Sequence, residues 1–267
     1  MIIHPTAIID EGAQIAEGAQ VGPYCIVREG AKIAEGVKLI SHVIVEGQTE
    51  IGANTAVYPF ASIGLPPQDL KYRGEKTGVK IGSNNIIREY VTVHRGSVGG
   101  GGFTVIGDGN FIMGYAHIAH DCVLGNNVIM TNVATLGGHV EIQDHAIVGG
   151  LAAAHQFTRI GAYAMAGGMS GIAQDIPPYT MASGPRACLY GLNVIGLKRH
   201  GFSQETINEL GKAYKILFRS RNTLKEAIKK VQQELPYTDE IKTLLDFIKT
   251  SRRGICKAAK ADSAELL

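Results

Sequence analysis

The chain has 267 residues and a formal net charge of only +2. That length fits one large domain or one domain with a small appendage, and the charge argues against a nucleic-acid binder. Glycine is abundant at 34 residues, aromatics make up 6%, and tryptophan is absent. Ordinary cores lean on large aromatic side chains, so a narrow core of small and β-branched residues is expected. Cys25, Cys122, Cys188 and Cys256 form no Cys-x-x-Cys pair, which removes zinc-ribbon and thioredoxin-like readings. The start, Met1-Ile2-Ile3-His4-Pro5, lacks the basic and apolar segments of a signal peptide. No apolar stretch is long enough to span a membrane, so a reducing, cytoplasmic setting is expected.

From the first residues an aliphatic side chain recurs every six positions: Ile3, Ile9, Ile15, Val21, Val27, Ile33, Leu39, Val45, Ile51, Val57 and Ile63. The next residue is often Gly or Ala, as in Val21-Gly22 and Ile33-Ala34. The pattern breaks over about 65–80, resumes at Ile81, Ile87 and Val93, and breaks again over 97–104. It returns at Ile106 and runs to Ile172, weakened only at Met130, Ala154 and Ala166. A period of six is neither helical nor simple strand alternation. It fits a short strand and a tight corner, with three such units closing a triangular coil of about 18 residues stacked at strand spacing. The two breaks predict loops leaving the prism, and loops on a rigid scaffold often carry function.

After Pro177-Pro178 the period ends, and from about Val194 the spacing becomes helical. Ser203 is a simple N-cap; Thr223 with Glu226 forms a capping box; a further helix runs from about Asp239 to Thr250. The reading is thus a parallel β-helix over 1–190 and an α-helical domain over 191–267. Residues 191–267 hold 15 Lys and Arg against nine Asp and Glu, whereas 1–190 hold 11 against 15. A solvated helical face accounts for such a tail, and so does a landing surface for an acidic partner.

Five of the nine histidines fall between His117 and His155. Stacking at 18 residues places His120, Gly138 and Gln156 on one edge, and Asp121, His139 and Phe157 beside them. Neutral imidazole can take a proton from a hydroxyl, a carboxylate can orient it, and a glycine N–H can donate to a developing oxyanion. These are the parts of acyl transfer to a hydroxyl. Three imidazoles, His117, His120 and His139, also suit zinc.

Further motifs carry a family resemblance. They are Pro67-Gln68-Asp69-Leu70-Lys71-Tyr72, His117-Ile118-Ala119-His120-Asp121-Cys122, Ala154-His155-Gln156-Phe157, Gln174-Asp175-Ile176-Pro177-Pro178-Tyr179 and Gly196-Leu197-Lys198-Arg199. Together they resemble the UDP-N-acetylglucosamine acyltransferases that begin lipid A synthesis in Gram-negative bacteria. The resemblance implies a left-handed β-helix and a homotrimer with active sites between neighbouring prisms. It implies His120 as general base, Asp121 as its support and the Gly138 N–H as oxyanion hole, with no acyl-enzyme and no separate cofactor. Asp69 and Lys71 would hold the sugar and phosphate region, Gln68, His117, His139 and Gln156 would line the sugar and acyl sites, and His155 would also contact substrate. Asn193 and Arg199 would reach the nucleotide. The donor would be a (R)-3-hydroxyacyl chain on acyl carrier protein, an acidic partner for the basic tail. Gly168 would leave room for a long acyl chain, with Met169 beside it.

Two positions depart from some relatives: Ile195 stands where a Glu occurs, and His200 where a second Arg occurs. Other readings stay open. One is amide formation on a 3-amino sugar analogue; another is a zinc hydratase resembling β-helical carbonic anhydrases; a third is a purely structural solenoid. The later N-acyltransferase of the same pathway carries an N-terminal domain, for which hexads starting at Ile3 leave no room.

Overall fold

The computed structural model describes residues 1–259; the end of the expected helical tail, 260–267, lies outside the described residues. The chain is a left-handed parallel β-helix followed by helices. Its strands, most of them only two residues long, stack into three sheets of 11, nine and eight strands. Sheet A starts at Ile2–Ile3, sheet B at Ile8–Ile9 and sheet C at Gln14–Ile15. Successive coils align as the period predicts: Ile118 pairs with Leu136, and Leu136 with Ala154.

Two columns of side chains fill the prism. The aliphatic column is the one visible as the six-residue period, with Ile63, Ile118 and Leu136 fully buried. A second inward column lies two residues earlier in each hexad: Cys25, Ala31, Val37, Val43, Ala61, Ala116, Cys122, Ala134 and Ala152, all fully buried. Small residues there let the corner close over a core only a few side chains wide. This explains the scarcity of aromatics, and it assigns Cys25 and Cys122 to packing. The Gly or Ala after each aliphatic residue has a steric cause as well. A Cβ on Gly22 would lie 1.7 Å from the Ile40 carbonyl oxygen of the next coil.

Most corners pass through the left-handed backbone region, often at a residue other than glycine, which costs on the order of 1–2 kcal/mol. Side-chain stacking offsets part of this. Along the edge between sheets A and B the rings of Tyr24, His42, Phe60, Tyr90 and Tyr115 stack at centroid spacings of 4.7 to 5.0 Å. Val133, Leu151 and Met169 extend the same edge and are exposed. Sheet C is instead faced with charge, including a Lys32–Glu50 ion pair at 2.8 Å.

The two excursions leave at the edge between sheets B and C, and the ladder continues across both, from Ile63 to Val93 and from Val93 to Ile118. They are shorter than the sequence suggests. Gly78–Ile81 and Phe103–Ile106 are four-residue strands paired to each other, and Gly78–Ile81 also pairs with Gln48–Ile51. Their extra inward residues, Thr49, Val79 and Thr104, belong to the small-residue column, which an aliphatic period does not reveal.

The chain leaves the prism through an antiparallel hairpin, Thr180–Ser183 with Cys188–Leu192. Helices α1 (Val194–Arg199), α2 (Gln204–Phe218), α3 (Leu224–Glu234) and α4 (Asp239–Lys249) follow. Ser203 caps α2, and Thr223 with Glu226 forms the expected capping box on α3. The helices enclose their own apolar cluster, including Leu197, Leu210, Val231 and Leu245. Arg159 ties α4 to sheet C through Asp175, Thr250 and the Phe247 carbonyl. Among the described residues no helix is long and apolar enough to cross a membrane.

Candidate active site

The B–C edge gathers the chemistry. The corner after the strand His117–Ile118 carries His120 and then Asp121, whose φ of 61° is a conformation that Asp tolerates better than most residues. Asp121 is 6% exposed and fully engaged. Its Oδ1 accepts the Ser97 N–H at 2.8 Å, and its Oδ2 accepts the Ser97 hydroxyl at 2.7 Å. His120 Nδ1 also lies 2.7 Å from Oδ2. A carboxylate only accepts, so Nδ1 carries the proton, and in the neutral ring Nε2 presents its lone pair.

The imidazole of His120 lies over Gly138. A Cβ added there would sit 2.6 Å from His120 Cε1 and 2.8 Å from Nε2. Gly138 has no positive φ, so the glycine is required by the ring above it rather than by the turn. The flanking N–H groups of Gly137 and His139 donate to Ala154 and His120 carbonyls, while no backbone carbonyl among the described residues takes the Gly138 N–H. Pro23 and Pro59 occupy the same hexad position elsewhere, so the fold does not need a donor there. The Gly138 N–H is free for a ligand.

His139 follows, its Nε2 3.7 Å from Asp121 Oδ2 and its ring stacked on Phe157 at 4.4 Å. His139 and Phe157 form one wall of a cleft of about 350 Å³, whose other walls are Asp69, Lys71 and Tyr72 of the first excursion and Ser97 of the second. Asp69 turns its carboxylate back to the Lys71 N–H at 2.9 Å, holding the loop tip in a tight turn. Gln68 is exposed near that cleft without lining it. Gln156 stacks above Gly138 in register, and His155 beside it bonds the Gln156 carbonyl at 3.0 Å.

His117 faces outward from sheet B, with Nδ1 2.7 Å from the Thr92 hydroxyl. Burial first, and the neighbouring His120 next, hold its pKa below the ordinary value. The ring of His94 meets His117 edge-on at 5.0 Å. Burial pushes His94 down to about 4, with His117 and His120 adding to the effect.

Sequence reasoning missed three residues of this centre. Thr104 accepts the Asp121 N–H at 2.9 Å; Ser97 and His94 complete the surroundings. Ser97 and Thr104 fall in the break of the hexads, and His94 sits at its rim, so the six-residue count did not reach them.

Other expected site residues lie on other edges of the same prism. Gly168 is on the A–B edge, where a Cβ would sit 3.2 Å from the Gly150 carbonyl oxygen and open outward. Between it and His120 runs the outer face of sheet B, which narrows from His117 through Thr135 and Ala153 to Gly171. Asn193 and Arg199 are on the C–A edge. The Asn193 side chain caps α1 by accepting from Gly196 and donates to the Tyr163 carbonyl at 3.0 Å, so its amide is largely occupied. Arg199 is exposed in the last turn of α1. His200 packs edge-on against His145 at 4.8 Å.

Comparison with known proteins adds the decisive observation. The model of the second domain of UDP-N-acetylglucosamine O-acyltransferase matches residues 175–256, and the bacterial transferase hexapeptide model matches 103–132. The acyl-[acyl-carrier-protein]–UDP-N-acetylglucosamine O-acyltransferase of Thermodesulfovibrio yellowstonii is 65% identical, over 96% of this chain and 99% of that protein. The chain belongs to this acyltransferase family. Its structure agrees with that of LpxA from Acinetobacter baumannii at a TM-score of 0.94 and 46% identity, covering 96% of this chain and 100% of that one. An Arabidopsis UDP-N-acetylglucosamine acyltransferase agrees at 0.84 and 36% identity, with coverage of 96% and 100%.

For an acyltransferase the cysteine beside this corner matters. Cys122 is fully buried, and burial pushes its thiol up to about 12, so it presents no thiolate. The same corner also gathers side chains of metal-ligand type. Ligand atoms of His120, Asp121 and His139 lie within 4.8 Å of one another, whereas His117 turns to Thr92 and leaves the expected trio. Both oxygens of Asp121 already hold hydrogen bonds.

Proposed function

We propose that this acyltransferase moves a (R)-3-hydroxyacyl chain from acyl carrier protein to the 3-hydroxyl of UDP-N-acetylglucosamine, the first step of lipid A synthesis. The observation that carries the reading is the His120 ring, tied to Asp121 at 2.7 Å and lying over Gly138. His120 Nε2 takes the proton of the hydroxyl while its oxygen attacks the thioester carbonyl carbon. The oxyanion receives the Gly138 N–H. The C–S bond then breaks, the imidazolium returns its proton to the leaving sulfur, and ester and free thiol remain. The burial of Cys122 supports direct attack without an acyl-enzyme.

Asp69 and Lys71, in one cleft with His139, suit the sugar and its phosphates. Gln68, His117, His155 and Gln156 complete the surroundings, and Gly168 marks the far end of the acyl chain. We propose a homotrimer, because the residues assigned to sugar, acyl end and nucleotide occupy three different edges of one prism and a neighbouring copy can bring them together. The exposed apolar A–B edge supports such a contact. The two-part division into 1–190 and 191–267 gives each a task, with the second receiving acyl carrier protein. A groove of about 620 Å³ beside α2, with Ile207 and Tyr214 in its floor and Lys212, Lys215 and Arg219 on its rim, supports an acidic, partly apolar visitor. The reading needs no cofactor beyond the donor's own phosphopantetheine and sets the reaction in the cytoplasm.

The test is an acyl-transfer assay on purified protein, offering acyl carrier protein thioesters of graded length with UDP-N-acetylglucosamine or its 3-amino analogue. Ester formation on the first acceptor supports the proposal; amide formation alone would reassign the acceptor. No transfer, with stoichiometric zinc at His120, Asp121 and His139, would replace it with the metal reading.

A further inference from the structure

The second excursion holds the catalytic pair from a side that the six-residue pattern does not describe. Ser97 contacts both oxygens of Asp121, one through its N–H and one through its hydroxyl. Ser97 is itself fixed, since its carbonyl accepts the N–H groups of Gly100 at 3.1 Å and Gly102 at 2.8 Å. Gly96 before it closes on Phe103, where a Cβ would lie 2.4 Å from the Phe103 nitrogen. Gly100 packs so close to the carboxylate that a Cβ would fall 2.0 Å from Asp121 Cγ. Gly96 and Gly100 therefore fit this segment closely around Asp121 as a collar.

Without the collar, the bonds left to Asp121 are its own N–H on Thr104 and its carboxylate on His120, and the carboxylate can rotate about the side-chain bonds. His139 Nε2, 3.7 Å away, would then compete with His120 for Oδ2. With the collar, Oδ1 faces the Ser97 N–H and Oδ2 is directed at His120 Nδ1.

We propose that Ser97 is a positioning residue of the transfer reaction: by binding both carboxylate oxygens it fixes Asp121 in the one orientation that holds His120 as a base with a free Nε2. The proposal rests on the reading of His120 as that base. Ser97 also lines the cleft assigned to the sugar, so an influence that passes through Asp121 must appear in kcat and leave KM in place.

Steady-state kinetics on the intact protein test this. Ser97→Ala loses one hydrogen bond to a charged group and is expected to lower kcat by about 10- to 100-fold, with KM for both substrates within about twofold. Ser97→Thr keeps the hydroxyl and is expected to restore most of the rate. In an Asp121→Ala background, Ser97→Ala is expected to cost nothing further, since the group it orients is gone. An equal loss in both backgrounds, a change in KM alone, or a Ser97→Ala enzyme within twofold of the parent overturns the proposal. Thermal melts establish that each variant is folded; should Ser97→Ala fail there, Ser97→Cys, a weak donor of similar size, carries the same cycle. His120→Ala separates the two levels. If it retains turnover, the reading of the base fails; if it is inactive while Ser97→Ala is normal, only the role of Ser97 fails.

Discussion

His120 Nδ1 and Asp121 Oδ2 are 2.7 Å apart within a single corner, joined by adjacent residues. Asp121 reaches this position because its backbone turns left-handed, which folds the carboxylate back toward the preceding ring. Removing the imidazole by His120→Ala should lower kcat by about 10²- to 10⁴-fold, the range for loss of a general base. The melting temperature should stay near the parent's, as the ring is outside the core. Near-normal turnover would sink the base assignment.

Gly138→Ala tests the floor beneath that ring. The added methyl would meet His120 at 2.6 Å, so the ring must shift off the pair with Asp121. We expect kcat to fall on the order of 100-fold with little loss of stability, because φ at this position suits alanine. A variant with full activity would show that the ring has another place to go.

Gly168→Met should shift the donor profile toward shorter acyl chains. The substituted side chain points outward at the A–B edge, at the end of the sheet B face away from His120. Relative kcat/KM across a series of thioesters is the measurement, and an unchanged profile removes Gly168 from the acyl site.

Replacing Lys212, Lys215 and Arg219 with Gln should raise the donor KM by about 3- to 10-fold at low salt, with the gap closing as salt rises. The acceptor KM should not move. Equal donor dependence at low salt would mean that the basic rim is an ordinary solvated surface.

His94 gives the protein a weak point in acid. Its folded-state value of about 4 lies below the ordinary 6.5, so the unfolded chain takes up the proton first. Stability is whole above about pH 6.5 and drains as the pH falls toward 4. His94→Gln should therefore lose less melting temperature between pH 7 and pH 5 than the parent, at equal protein concentration. His117, also lowered by burial, keeps part of the dependence in the variant. Parallel curves for the two proteins would rule His94 out as the cause.

The hexad period foretold much of this architecture because one inward side chain in each unit is large and aliphatic. It also foretold the meeting of His120 and Gly138, since a constant coil length turns sequence separation into height on one edge. What it could not reach was whatever breaks the period. Ser97 and Thr104 act on Asp121 from a segment whose path depends on glycine sterics and on pairing with Gly78–Ile81. His94 was also out of view, because it lies where the second excursion begins and its neighbours are set by coil stacking across an insertion. Asn193 shows the opposite limit: the resemblance that singles it out says nothing of the capping bond that occupies its side chain.

The stack has a further consequence for how the protein is made. Every coil rests on the one before it, and the residues that pair are close in sequence, so the chain can wind up as it leaves the ribosome. Ser97, Thr104, His120, Asp121 and Gly138 all precede the hairpin at Thr180. The corner proposed for catalysis can therefore take shape while the helices α1 to α4 are still to be synthesised.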